Sequence, residues 1–403
     1  MTEPELPTNA PPPAISHLVR ERMEARARRD FARADALKSE IEAAGWRVVD
    51  RGKQTSVRPA APASLEADGE TRYGSAAAVP SRLAEPASAA VTVVLVASEA
   101  PAQVSRLLAA LREHAAPRTQ VVLAVNDPSA AQEESLRGGS PDRSAISGME
   151  PEVIRTSARL GHAAALNVAL RRAGGDVIVL ADGSATPTGD ALTPLLAALA
   201  DPEVALAGAF GLVDREAGPF RPNALERVGL EDGPDVTALE AGWLAFRRAD
   251  YVALGPLDEH FITPAWLDVW WSLRLRCGLD PDWTETADAP ESAEGSAEGL
   301  ADGGDSNGVE NVEAGTKPDS AGPAQDSGEE PSPADLPAPR RAFRLDLPLE
   351  RQATSWPPDR SRLNRRQMYR VLDRFGWRED LGTGEELAAE EDLSRREELG
   401  SDD

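Results

Sequence analysis

A helix that closes on glycine, runs straight into a short apolar strand and ends at an acid constrains this chain more than any other segment. It lies in Arg155 to Asp190, RTSARLGHAAALNVALRRAGGDVIVLADGSATPTGD. The helix is predicted from near His162 to Arg172, with Ala165, Leu166, Ala169 and Leu170 spaced for an apolar face. Gly174-Gly175 ends it, because glycine tolerates the left-handed conformation that closes helices. Val177 to Leu180 is a continuous apolar run, as expected of a central parallel strand buried on both faces. Ligands of open α/β sheets bind at the carboxyl ends of such strands. Asp182 stands at that end, where a carboxylate can hold a divalent cation against a diphosphate.

The same alternation begins upstream. Val91 to Ala97 reads as a strand, Ala102 to His114 as a helix and Gln120 to Val125 as a second strand, ending at Asn126-Asp127. This β-α-β order predicts an α/β domain with a doubly wound mixed sheet and flanking helices.

Three blocks carry a family resemblance. LGHAAALNVALRRAGGDVIVLADGS resembles the nucleotide-binding half of family-2 glycosyltransferases of the GT-A fold, which read N-x-G-x-a-x-A-x-N-x-G, a helix, a strand and D-x-D. Ser184 takes the place of the last acid. A closer bacterial set is similar to this chain in reading D-x-S followed by P-T-G-D, as Ser184 to Asp190 do. The second block, Glu240 to Gly278, resembles the acceptor side of the same enzymes through Gly242, Phe246-Arg247-Arg248, Gly255, Leu257-Asp258-Glu259 and Phe261. Asp268 falls at the catalytic base, while Leu267 and Trp270 replace acids usual beside it. The third block, Leu345 to Trp377, resembles the C-terminal strand and helix, with Gln352 where many relatives have a metal-binding histidine.

The resemblance implies a nucleoside-diphosphate sugar donor, an Mg²⁺ or Mn²⁺ ion held by Asp182, and inverting transfer to a glycan, lipid or protein hydroxyl deprotonated by Asp268. It places Glu99, Asp127, Gly161, Asn167, Asp182 and Ser184 on the donor side, and Gly242, Trp243 and Arg247 on the acceptor side. Glu99 and Asp127 are the acids that would read the base, with a helix cap or turn role as the alternative. Asp182 as a turn residue and Asp268 as a helix cap also stay open. Asn167 is expected to support the site through packing or a backbone hydrogen bond, and His162 to be a loop residue. The departures at Ser184, Trp270 and Gln352 leave a second function class, a GT-A-like protein that binds a nucleotide sugar without transferring it.

Ile15 to Arg58 reads as two helices with stripes Ile15, Leu18, Val19, Met23 and Phe31, Ala34, Leu37, Ile41, followed by a short extended end. Arg22, Ala25-Arg26, Arg29-Asp30-Phe31, Ala34-Asp35, Gly45 and Asp50 resemble the helical segment near the C-terminus of cysteinyl-tRNA synthetases. The adenylate-forming motifs and zinc cysteines are missing, which excludes synthetase activity. The resemblance implies weak RNA contact by residues 15–58 through Arg20, Arg22, Arg26, Arg28, Arg29 and Arg33, and a third class, an RNA-associated adaptor.

The formal net charge of −25 is concentrated: between Glu285 and Asp335 fourteen acids face the single Lys317. Such a stretch buries too little apolar surface to fold and disfavours nonspecific nucleic-acid binding. The expected organisation is a disordered 1–13, a hairpin at 14–58, a linker at 59–88, the GT-A-like domain at 89–283, a disordered acidic insert at 284–337, the rest of the domain at 338–378 and an acidic tail at 379–403. Cys277 is the only cysteine, excluding an intrachain disulfide. MTEPELPTNAPPPA lacks signal-peptide character and no apolar run spans a membrane, so a cytoplasmic protein, at most peripheral at the inner membrane face, is expected.

Overall fold

The computed structural model describes residues 11–51, 54–67, 69–97, 100–138, 150–216, 218–278, 338–352 and 356–382. The expected acidic insert and most of the acidic tail lie outside these residues.

The N-terminal module pairs α1 (Pro13–Ala27) with α2 (Phe31–Ala43), then a hairpin of β1 (Trp46–Arg51) and β2 (Gln54–Pro59). Asp30 caps α2 by accepting the Arg33 N–H at 3.1 Å. Ala25, Ala34 and Leu37 form its small core. The structure corrects the sequence here. Met23 and Phe31 are exposed, and Arg22 leaves the basic face to become buried, donating to Thr55 Oγ1 at 3.0 Å. The extended end is a full antiparallel hairpin.

The region expected as a linker also carries structure. β3 (Leu65–Ala67) and β4 (Glu70–Tyr73) form a hairpin, and β4 joins the main sheet in parallel with β7 (Glu152–Thr156). No periodicity announces such short edge strands; pairing to β7 makes them.

Between them the chain runs β5 (Ala89–Ala97), α3 (Pro101–His114), β6 (Thr119–Val125) and α4 (Ala130–Gly138) before β7. α5 (His162–Leu170), β8 (Gly175–Ala181), β9 (Ala185–Pro187), α6 (Thr193–Ala198) and β10 (Val204–Gly208) follow. Next come the short strands β11 (Gly211–Val213), β12 (Glu226–Arg227), β13 (Asp235–Val236) and β14 (Ala238–Leu239), then β15 (Trp243–Arg247), α7 (Arg248–Leu254) and α8 (Leu267–Cys277). The last elements are β16 (Arg341–Arg344), β17 (Leu349–Arg351) and α9 (Arg362–Phe375).

The ten-stranded sheet has the order β13-β16-β10-β15-β8-β5-β6-β7-β4-β3. β8, β5, β6 and β7 are mutually parallel, and β15 enters antiparallel to both β8 and β10. The chain steps outward from β5 to β6 to β7, then returns across β5 to β8. The strand order therefore reverses between β5 and β8, the position where open α/β sheets leave a crevice at their carboxyl edge.

Alternation along β5 builds the two cores. Val91, Val93, Leu95 and Ala97 face the layer of α3 and α6, whereas Val94 faces α5, α7 and α8. α3 begins with Pro101 at its first turn, where the missing N–H loses nothing, and buries Val104, Leu107 and Leu111. Each such leucine contributes about 1.5–3 kcal/mol relative to exposure. On the opposite layer Phe246, Tyr251 and Trp271 meet edge to face or tilted, with ring centroids 5.4 to 6.4 Å apart.

β16 lies between β13 and β10, beside α8 in the fold but far along the chain. The Arg340 N–H donates to the Arg276 carbonyl at 2.9 Å, so the chain leaves α8 and returns to the sheet at one point.

Candidate active site

Three elements converge at the carboxyl edge of β8. The turn after it carries Asp182, Gly183 and Ser184. Asp182 Oδ1 accepts the Ser184 N–H at 2.7 Å and also the Ser184 hydroxyl. Ser184 therefore orients the carboxylate instead of adding a second charge, and Asp182 Oδ2 takes no hydrogen bond from the described residues. The turn is packed from below by α3: a Cβ built at Gly183 would lie 2.6 Å from Gln103 Cβ.

The second element is the stretch Glu240–Gly242 leading into β15. Asp182 N–H donates to the Gly242 carbonyl at 3.3 Å, and Ala241 N–H donates to Asp268 Oδ2 at 2.7 Å. One short piece of backbone thus bonds both candidate residues, the Asp268 carboxylate and the Asp182 main chain. Gly242 has φ +117°, and a Cβ there would meet the Phe210 ring at 3.3 Å and Ser184 Oγ at 3.6 Å. Phe210, Gly242 and Ser184 are consequently in one contact group.

Asp268 stands in the first turn of α8 and is half-buried. Burial pushes its pKa up to about 7; the Ala241 and Val269 N–H bonds oppose the shift, and the charge of Glu240 adds to it. Asp268 is not the cap of its helix, which is Trp266; its Oδ1 accepts the Val269 N–H at 2.9 Å while Oδ2 bonds across to Ala241.

The third element is β17, a strand that crosses the turn and pairs with β9, Arg351 opposite Ala185. The next residue, Gln352, donates its N–H to the Ser184 carbonyl at 2.7 Å and accepts Gln103 Nε2 at 2.7 Å. Arg351 lies over the Phe210 ring at 3.8 Å from its centroid and donates to Glu240. Buried Glu240 also receives both arms of Arg227, at 2.8 and 2.7 Å. Gln103, Phe210, Glu240 and Arg351 escaped the sequence reading, because their membership depends on contacts up to 249 residues apart along the chain.

His162, expected as a loop residue, opens α5. Burial lowers its pKa to about 4 against the charge of nearby Asp182, so it is neutral at pH 7.

Several expected contacts belong elsewhere. Asn167 is buried, and its amide clamps the chain after α7: Nδ2 donates to the Leu257 carbonyl, while Oδ1 accepts Leu257 N–H and Tyr251 Oη. That saturates it as a structural group, not a donor contact. Gly161 is buried against Ile262, its virtual Cβ only 3.0 Å from Ile262 Cγ2. Trp243 is a core residue whose indole donates to the Ala191 carbonyl at 3.3 Å. Arg247 holds the carbonyls of Leu199, Asp201 and Val204, and Arg248 those of Leu83 and Glu85. Neither arginine reaches the carboxylate pair. Asp127 is exposed at the end of β6 with φ +48°. Glu99 lies outside the described residues.

No group of three or more His, Cys, Asp or Glu among the described residues forms a metal cage. One carboxylate oxygen with a flanking hydroxyl still suits a hard cation that keeps water and takes its other ligands from phosphate. No helix of the described residues is long and apolar enough to cross a membrane.

Residues 92–251 match the model of Glycosyl transferase family 2, and residues 8–58 match that of the Cysteinyl-tRNA ligase anticodon binding domain. No curated protein matches the chain. Similar solved structures include the mannosyltransferase PcManGT from Pyrobaculum calidifontis in complex with GDP-Man and Mn²⁺, at 20% identity, TM-score 0.38, covering 50% of this chain and 56% of that one. GalNAc-T7 with UDP, GalNAc and Mn²⁺ gives 16% identity, TM-score 0.36 and coverage of 47% and 40%. S. aureus TarS gives 14% identity, TM-score 0.33 and coverage of 47% and 33%. The chain spans between a third and somewhat over half the length of these proteins. The two matched regions do not overlap and follow one another along the chain.

Proposed function

We propose that the family-2 region transfers a sugar from a nucleoside diphosphate to an acceptor hydroxyl, with inversion, at the crevice between β5 and β8. The observation that carries this reading is that Ala241-Gly242 ties two aspartates together, Asp268 through its carboxylate and Asp182 through its backbone N–H. Asp182 faces the donor and Asp268 the acceptor.

Asp182 with Ser184 would hold a divalent cation, Mg²⁺ or Mn²⁺, whose chemistry is to neutralise charge on the leaving diphosphate. Ser184 fixes the carboxylate through Oδ1, so Oδ2 would be left to a cation. Asp268 takes the proton of the acceptor hydroxyl, and its pKa of about 7 suits a base that must accept a proton near neutral pH. The acceptor oxygen then bonds to the anomeric carbon from the face opposite the diphosphate.

Thermal shifts of the full chain against UDP-, GDP- and dTDP-sugars, with and without Mg²⁺ or Mn²⁺, test this reading. A donor at about 100 times its dissociation constant adds roughly 2.7 kcal/mol. A shift that is strengthened by metal and reduced in Asp182→Asn supports the donor site and identifies the nucleotide. Absence of a shift with every donor sinks the proposal.

A further inference from the structure

The turn after β8 offers one carboxylate to hold a cation, so a negative diphosphate there would need a further positive group. A permanent cation already lies beside it. Arg351 is in register with Ala185, one residue beyond Ser184, and the neighbouring Gln352 N–H is bonded to the Ser184 carbonyl. Its guanidinium lies flat on Phe210, the ring that shares contact distance with Gly242 and Ser184 Oγ. The side chain keeps 22% of its surface accessible. Both arginines hold Glu240 in two-pronged bonds, Arg351 more loosely at 3.4 and 2.9 Å and Arg227 at 2.8 and 2.7 Å. Glu240 thus has two cationic partners, and it keeps one when the other turns to another anion.

We propose that Arg351 is a diphosphate-binding residue that stabilises the leaving group, so that nucleotide binding survives removal of the divalent cation. This rests on the donor reading above. In the transfer, the bond from the anomeric carbon to the β-phosphate oxygen breaks and its electron pair stays on that oxygen. The acceptor oxygen forms the new bond and gives its proton to Asp268. Arg351 meets the negative charge appearing on the departing diphosphate, for which a planar two-donor guanidinium is better matched than an ammonium. β17 ends on Arg351 and Gln352 follows it, so one strap closes the diphosphate side of the turn.

The test titrates full-length protein with UDP, GDP and dTDP in EDTA and again in Mg²⁺. Wild type is expected to bind one of them in EDTA, and Arg351→Gln to lose at least tenfold in affinity there, about 1.4 kcal/mol. Arg351→Lys should recover part of that loss. Arg248→Gln is the stability control: it removes the bonds to the Leu83 and Glu85 carbonyls and touches neither Glu240 nor the turn. It should lower the melting temperature comparably while keeping affinity within about threefold of wild type, a bound well under the tenfold step of one decade. Equal affinity of wild type and Arg351→Gln in EDTA overturns the inference and leaves the donor reading standing. The same holds if wild type binds only in Mg²⁺. Failure of wild type to bind any of the three nucleotides in either buffer overturns both.

Discussion

Asp268→Asn should make the protein more stable and inactive, and the gain in stability should depend on pH in a defined way. In the native protein the carboxyl group titrates at about 7 instead of 3.8, because burial and the charge of Glu240 disfavour the anion. The unfolded chain loses that proton near pH 4. Its folded pKa is raised, so the contribution is fully present below the unfolded value and is lost as pH climbs through the folded one. Between pH 5 and pH 8 the loss for this one group is about 2.5 kcal/mol. An asparagine does not titrate, and every other group is common to both proteins, so the difference between them isolates Asp268. At roughly 2 °C per kcal/mol for a domain of this size, the melting-temperature gap between variant and wild type should widen by about 5 °C from pH 5 to pH 8. Scanning calorimetry at the two pH values reads it directly. A gap that stays constant within a degree would falsify the claim that the folded protein holds Asp268 protonated at mild acidity.

Glu240→Gln should shift the acid limb of the pH–rate profile to lower pH, since the repulsion raising Asp268 is gone, and should cost about 1–3 kcal/mol in urea unfolding as two arginines lose a charged partner. An unchanged limb would remove Glu240 from the account of the base. Asn167→Ala should destabilise by about 2–4 kcal/mol by stranding Leu257 and the Tyr251 hydroxyl, with donor affinity per folded molecule preserved; a selective loss of affinity would restore a donor role. Gly242→Ala should cost about 1–3 kcal/mol at φ +117° and press on Phe210, and crystallography of the variant should find the ring displaced.

Much of the sheet was legible because burial on both faces leaves an unmistakable apolar run, as in Val91–Ala97 and Gly175–Ala181. Helix α5 announced itself through its alanines and the glycines that follow. Asp182 was legible for the same reason, standing where such a run stops. What failed was the assignment of polar side chains by motif position. Arg247 and Arg248 hold carbonyls that no local pattern reveals, and Trp243 turns into the core because alternate residues of a central strand all face packed layers. Arg22 looked like one more cation on a basic face, yet a hairpin thirty residues later gives it Thr55 to bind. The strap that brings Arg351 and Gln352 over the turn is separated from β15 by the acidic stretch. Its place is set by pairing with β9, a three-residue strand too short to be predicted.

The pair of hydrogen bonds between Arg276 and Arg340 has a practical meaning. Folded residues on either side already bring the two ends of residues 279–337 together, so the sheet does not count the length of chain between them. Loop-closure entropy changes by only about 0.6 kcal/mol for each doubling or halving. That junction is an exchange point: a short linker, a reporter domain or an affinity handle can be spliced there while β10, β16 and the strap beyond keep their register.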